Sequence, residues 1–339
     1  MDKLTNFNNI CFSALEISEK TAGDFLPTVR TKLVSELPEG DLLIKVAWSG
    51  LNYKDALSAS GHKGITRRYP HTPGIDAAGI VVASLNPLFS EGEEVIVTGY
   101  DLGMNTSGGF AEYIRVPSAW AVKLPAGLSL MESMIIGTSG FTAASAIFEF
   151  IRHGITPGSG NVLVSGASGA VGSMAVAMLA RNGYKVIASS GKPELAESLI
   201  RSGASEIIGR ESLNDKSGKG LLPVRWIAAL DTIGGNTLAT ILKSTAERGI
   251  VCNCGMIASP VLDVSVFPFI LRAIRLVGIA SAETPMQRRL EIWQLIASSL
   301  KPESPLDMCR IISLGEVSRE LDLMLAGQQH GKVIVKINS

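Results

Sequence analysis

Three groups of residues in this 339-residue chain have the types and spacing to do chemistry. The first is Gly166-Ala-Ser-Gly169-Ala-Val-Gly172, directly after the apolar run NVLVS (161–165). Small residues there let the chain turn tightly and bring backbone N–H groups up to a pyrophosphate. A helix opening at that point adds the positive end of its dipole. The spacing is GxxGxxG, with Ala167 in the usual place of the middle glycine. The motif therefore gains its weight from standing between a strand and a helix. The second group, Ser189-Ser190-Gly191-Lys192, follows the next predicted strand, and no carboxylate appears until Glu194. An NAD site offers an acidic residue to the ribose hydroxyls in this region, whereas a hydroxyl and an ammonium suit a 2′-phosphate. NADPH is the expected cofactor. The third group is Asn52, Tyr53 and Asp55, a polar cluster after a strand. It is expected to lie in a loop, where binding groups gather.

The elements that must carry these groups differ along the chain. Between about 41 and 125, the apolar, β-branched runs at 41–50, 74–84, 93–99 and 113–117 are broken by turn residues, with no long helix between them. That pattern predicts a compact barrel. The stretch 130–150 is helical in character. From 161, predicted strands at 161–165, 185–189, 206–209, 225–231, 249–254 and 276–280 alternate with helices near 170–182, 193–202 and 236–246. Six short strands in such alternation describe a doubly wound parallel sheet, the Rossmann arrangement. The closing run KVIVKI (332–337) is again a strand that could return to the first domain. The expected division is 1–125 with 301–339 as the barrel and 126–300 as the dinucleotide domain.

Composition excludes several classes of function. With 46% hydrophobic and 18% charged residues and 35 glycines, the chain has the profile of a well-buried α/β protein. Its 31 basic and 31 acidic residues cancel, so the footprint of a nucleic-acid binder is missing. The first 20 residues mix charges into apolar positions and lack a signal peptide's core. The uncharged stretch 154–180 is interrupted by Pro157 and glycines, so a membrane span is not expected and the chain reads as cytoplasmic. Cysteines 11, 252, 254 and 309 contain no Cys-x-x-Cys pair and read as reduced core residues.

Longer segments are more specific than the glycine motif. LNYKDAL (51–57), YPHTPGIDAAG (69–79), IIGTSGFTA (135–143), VSGASGAVGS (164–173), PFILR (268–272) and RLVGIAS (275–281) resemble the YhdH/AcuI-type acrylyl-CoA reductases. These are zinc-free medium-chain dehydrogenases/reductases, often labelled quinone oxidoreductases, and the likeness runs from about Leu37 to the end. It implies a GroES-like barrel joined to a Rossmann domain, with substrate in the cleft between them. It further implies cofactor contacts from Tyr53, Thr138, Ser168, Gly169, Ala170, Val171, Ser190, Gly191 and Lys192. Arg210 would sit near the adenosine phosphate, and Met256, Ile270 and Ser281 would line the nicotinamide side. Lys192 stands where many relatives have arginine, which keeps the charge but gives up bidentate phosphate recognition. Zinc-dependent members of the superfamily have a cysteine early in the barrel and a Gly-His-Glu segment. Here Ile75 takes the histidine's place, no cysteine lies near 50, and histidines 62, 71, 153 and 330 form no ligand cluster. No metal is expected.

The reaction implied is hydride transfer to the β-carbon of an enoyl thioester, with protonation at the α-carbon. Hydrogen-bond donors must then stabilise the enolate in place of a metal. Tyr53, with Asn52 beside it, is the catalytic candidate, although Tyr53 could equally only pack against the cofactor. Asp55 reads as a residue that orders its loop. Alternatives are a quinone or general enone reductase, and a non-catalytic protein that retains NADPH binding. A homodimer is expected through a sheet edge in the apolar region 252–279.

Overall fold

A computed structural model describes residues 4–21, 23–329 and 331–337; His330 lies outside the described residues. Two compact units emerge, one of Met1–Thr138, Ala282–Leu290 and Ser304–Ser339, the other of Ser139–Ser281 and Glu291–Glu303. The first boundary differs from the expected 125/126, because it falls inside a long helix.

In the first unit, β1 (Cys11–Thr21) and β2 (Asp24–Leu33) form a hairpin. There follow β3 (Leu42–Gly50), α1 (Tyr53–Ala59), β4 (Asp76–Ser84), β5 (Glu94–Thr98), β6 (Tyr113–Val116), β7 (Ala121–Lys123) and the start of α2 (Leu130–Arg152). The second unit contains β8 (Asn161–Val164), α3 (Ala170–Arg181), β9 (Lys185–Ser190), α4 (Ala196–Arg201), β10 (Glu206–Gly209) and β11 (Trp226–Asp231). It continues with α5 (Gly235–Lys243), β12 (Thr245–Asn253), α6 (Phe267–Arg272) and β13 (Arg275–Gly278). After α7 (Met286–Leu295), the chain closes the first unit with β14 (Cys309–Ser313), α8 (Val317–Leu325) and β15 (Lys332–Lys336).

The main sheet of the first unit runs β14-β15-β3-β4-β5-β7, with β6 also paired to β3. One face of β3 is buried in the core, and the other is partly covered, with Lys45 exposed. Leu42, Ile44 and Val46 join the barrel core with Val81, Val95, Val97, Val333 and Val335. Leu43 points the other way, into a cluster with Phe12, Ala14 and Val34 from the hairpin region. The hairpin was not apparent from sequence, because its charged residues mask the alternation. The second unit is a six-stranded, wholly parallel sheet of order β10-β9-β8-β11-β12-β13. The chain winds outward one way from β8 and then the other way from β11. That places a topological switch point at their carboxyl ends, the position where such sheets bind ligands. Helix α2 has the length and hydropathy of a membrane span, yet it is mostly buried and breaks at Gly137 (φ 49°, ψ −158°). All four cysteines are free. Burial pushes the Cys252 and Cys254 thiols up, Cys254 to about 12, so both stay protonated.

Candidate active site

In the parallel unit, the glycine motif turns from β8 into α3 with Gly169 as the helix N-cap. Gly166 has φ +57°, and a Cβ on Gly172 would run into the Gly166 carbonyl and lie 2.7 Å from Ala167 Cα. The close packing of helix on turn therefore requires glycine at 172. Ala167 is tolerated in the middle position, where its N–H donates to the Ser189 carbonyl at 2.9 Å. The first turn of α3 carries no acidic residue. Ser165 Oγ donates to Asp231 Oδ1 at 2.6 Å, and Asp231 also accepts from the Gly234 N–H (2.7 Å) and Asn253 Nδ2 (2.8 Å). Asp231 thus ties together the carboxyl ends of β8, β11 and β12. Sequence reading placed Asp231 at a strand end but saw no role for it.

The adenosine side is assembled from neighbouring strand ends. Gly209 of β10 is in register with Ser190 of β9. Ser190 Oγ donates to Ser168 Oγ (3.1 Å) and accepts from the Lys192 N–H (3.1 Å). Arg210 lies over Gly191, since a Cβ there would be 3.2 Å from Arg210 Nε. Ser168, Gly169, Ser190, Gly191, Lys192 and Arg210 are therefore brought together around one loop pair, with Ala170 and Val171 opening α3 beside it. Two serine hydroxyls and the Arg210 guanidinium border this loop, with Lys192 tied in by its N–H, and Glu211 reaches Arg210 at 3.7 Å. Met256 follows β12, and Ser281 follows β13 and accepts from Thr142 Oγ1 at 2.9 Å. Ile270 lies in the short helix α6 and is 67% exposed. Arg272, in the same short helix α6, donates to the carbonyls of Leu222, Lys243 and Thr245 at the amino end of β12.

In the barrel unit, Asn52, Tyr53 and Asp55 lie at the start of α1, not in the expected loop. Asn52 is the N-cap, and its N–H donates to Asp55 Oδ2 at 2.8 Å. The Asn-x-x-Asp spacing is a capping-box signal that could have been read from sequence. Asp55 Oδ1 also accepts from the N–H groups of Gly74 (3.1 Å) and Ile75 (2.9 Å), so it orders the distant 73–76 segment rather than only its own loop. Its burial, followed by the Asp76 charge, raises the Asp55 carboxyl to about 7 against the lowering effect of those N–H groups.

Asn52 as a catalytic donor is corrected by the structure. Its amide hydrogens go to the Gly50 carbonyl (3.0 Å) and Asp76 Oδ2 (2.8 Å), and its Oδ1 accepts from Lys332 (3.2 Å). With both donors engaged inside the barrel, it can position its neighbours but has no N–H to offer an enolate. Tyr53 is 56% exposed and its hydroxyl has no hydrogen-bond partner among the described residues. Thr138 donates to Asp76 through both its N–H and its hydroxyl. Asp76 and Lys332 were not singled out by sequence reading. Ile75, at the ligand position of zinc-dependent relatives, is buried, and the described residues hold no group of three or more potential metal ligands.

Two family models match the chain: "Alcohol dehydrogenase GroES-like domain" over residues 38–126 and "Zinc-binding dehydrogenase" over 170–298. The Bacillus subtilis (strain 168) protein YhfP, provisionally named a quinone oxidoreductase, is 44% identical over 96% of this chain and 99% of its own length. Its NAD-bound crystal structure matches with a TM-score of 0.94, covering 97% of this chain and 100% of that one. The acrylyl-CoA reductase AcuI of Ruegeria pomeroyi is 36% identical over 97% of this chain and 100% of its own. The yhdH oxidoreductase of Salmonella enterica, solved with NADP, is 42% identical with a TM-score of 0.93, covering 96% and 100%. The chain belongs to the medium-chain dehydrogenase/reductase family of oxidoreductases, in its YhdH/AcuI branch.

Proposed function

We propose that this chain is an NADPH-dependent reductase of activated carbon–carbon double bonds, with acrylyl-CoA or a similarly short enoyl-CoA as its best acceptor. The observation that carries the cofactor choice is the grouping of Ser168, Ser190 and the Arg210 guanidinium around Gly191 at the ends of β8, β9 and β10, with Lys192 next in the chain. Its hydroxyls and cations fit a 2′-phosphate, and the tight Gly166–Gly172 turn fits a pyrophosphate against α3. Bound NADPH would supply the hydride for the β-carbon. Of the chain's own residues, Tyr53 presents a solvent-facing ring and an uncommitted hydroxyl, suited to packing against the cofactor or relaying a proton.

The CoA handle is assigned to the 62–68 segment. Lys63 is already engaged there, 3.8 Å from Glu19 and 4.9 Å from the centre of the Tyr69 ring, which leaves the exposed Arg67 and Arg68 for the phosphates. A remote handle supplies binding energy that can orient a small acyl group at the reacting carbon. The name of YhfP supports a second reading, reduction of quinones. NADPH oxidation with acrylyl-CoA, a truncated acrylyl thioester and a simple quinone at matched concentrations separates the two. Acrylyl-CoA should be fastest. A faster quinone, or a truncated thioester equal to the CoA ester, refutes the CoA assignment.

A further inference from the structure

Where the parallel sheet reverses its order, three strand ends meet on one buried carboxylate. Asp231 closes β11 with its side chain sequestered from solvent, flanked by Ser165, one residue past β8, and by Asn253 at the end of β12. Its Oδ1 accepts from Ser165 Oγ (2.6 Å) and the Ile233 N–H (3.3 Å), and its Oδ2 from the Gly234 N–H (2.7 Å) and Asn253 Nδ2 (2.8 Å). All of these partners are neutral donors. Burying a charge among neutral groups costs desolvation that an apolar side chain would not incur, so stability alone does not account for an aspartate here. The carboxylate instead holds together two loops that border the switch point. On one side, Ser165 Oγ accepts from the Thr232 N–H at 2.9 Å, and Thr232 Oγ1 donates back to the Ser165 carbonyl at 3.0 Å. Gly166, which opens the glycine turn, is packed on Thr232, whose Oγ1 a Cβ at 166 would strike. On the other side, Asn253 Nδ2 also donates to the Gly255 carbonyl at 2.9 Å, and a Cβ at 255 would run into the Thr232 carbonyl. The 232–235 turn is thus wedged between both loops before it enters α5. Because the N–H groups of Ile233 and Gly234 both end on Asp231, the carboxylate decides how far the 165–166 turn stands from the 253–255 loop.

We propose that Asp231 is a positioning residue for dinucleotide binding, setting the width of the crevice between the glycine turn after β8 and the loop after β12. Sealed beneath both, it acts through Ser165, Thr232 and Asn253. Open α/β sheets take their ligand across the strand ends where the order reverses, which here are those of β8 and β11. Hydrogen bonds weaken steeply as distance and angle depart from the optimum, so a small shift of the turn loses contacts to the ligand. That loss falls on the part common to all nicotinamide dinucleotides. Ser190, Lys192 and Arg210, on the neighbouring loop pair, read what distinguishes them. The inference rests on the dinucleotide reading above, but not on any choice of acceptor substrate.

The test is calorimetric titration of the full chain with NADPH and, separately, with NADH, at a temperature where circular dichroism shows every variant folded. Thermal melting of the same proteins runs beside it. Asp231→Asn sets an NH2 group against N–H and O–H donors, and should weaken both dinucleotides about tenfold while their affinity ratio stays within about twofold of wild type. Ser165→Ala should act in the same direction. Thr245→Ala is the control. It removes a hydroxyl that joins Trp226 Nε1 to the Ile241 carbonyl at the opposite, amino end of β12. It should lower the melting midpoint yet bind both dinucleotides within about twofold of wild type. An Asp231→Asn chain that melts lower but binds like wild type overturns the proposal, because the residue is then only structural. So does a loss confined to one dinucleotide, or an equal loss in Thr245→Ala. If Asp231→Asn does not fold, Ser165→Ala decides by the same criteria. A wild-type chain that binds NADPH and NADH equally refutes the 2′-phosphate reading while leaving the variant comparison intact. A wild-type chain that binds neither refutes the dinucleotide reading and this proposal with it.

Discussion

Replacing Asp55 by asparagine should change the pH dependence of stability with a defined sign. Asp55 is fully buried and its carboxyl is raised from 3.8 to about 7, first by burial and then by the Asp76 charge. The folded chain therefore holds this proton more tightly than the unfolded chain does. The resulting stabilisation is complete below pH about 3.8, fades as pH rises, and is gone above about 7. A shift of about 3 units corresponds to at most about 4 kcal/mol. Asparagine imitates the protonated acid and keeps an oxygen for the Gly74 and Ile75 N–H groups. Its NH2 would face the Asn52 N–H, now held at 2.8 Å, and losing that bond costs about 1–3 kcal/mol. Asp55→Asn should thus be less stable than wild type at pH 4, and the gap should close or reverse by pH 8. Thermal melting of both proteins across this range would read the change, at most about 8–16 °C in relative midpoint at about 2–4 °C per kcal/mol. A gap that stays constant from pH 4 to 8, or an Asp55 carboxyl that titrates near 4 by NMR, refutes the argument.

Other outcomes follow from the same structure. Lys192→Ala should shrink the preference for NADPH over NADH by about tenfold or more while sparing NADH, since a charge-assisted bond to phosphate is worth about 1.5–3 kcal/mol; steady-state kinetics with both cofactors checks this. Wild-type efficiency that is equal with the two cofactors would contradict it. Dialysis against a chelator should leave activity and folding intact, because Ile75 stands in the ligand position. Elemental analysis finding about one tightly held zinc per chain would overturn that. A homodimer is expected through β13, which ends the strand order of its sheet, and the apolar surface beside it, where Ile257 and Leu271 are exposed. A monomer in sedimentation across a wide concentration range would count against it.

Much of this protein is written locally in its sequence. Strand and helix order in the parallel unit follows from apolar runs and turn residues a few positions apart, and the observed bounds at 206–209 and 226–231 lie within a residue of those expected. The dinucleotide turn is legible for the same reason, because a strand, small residues and a helix are contiguous from 161 to 181. The absence of a histidine at 75 likewise needs only the sequence. The knot around Asp76 was decided by tertiary structure. Lys332 opens an apolar strand and reads as an ordinary solvated lysine. Only the pairing of β15 with β3 carries it into the core, where it meets Asn52 from 280 positions away. No local pattern encodes that a charge will be buried, because burial depends on which strands cover it and on where its counter-charge arrives. The same physics turned Asn52 from a candidate donor into a spent one, since the partners that take its hydrogens are brought to it by the fold.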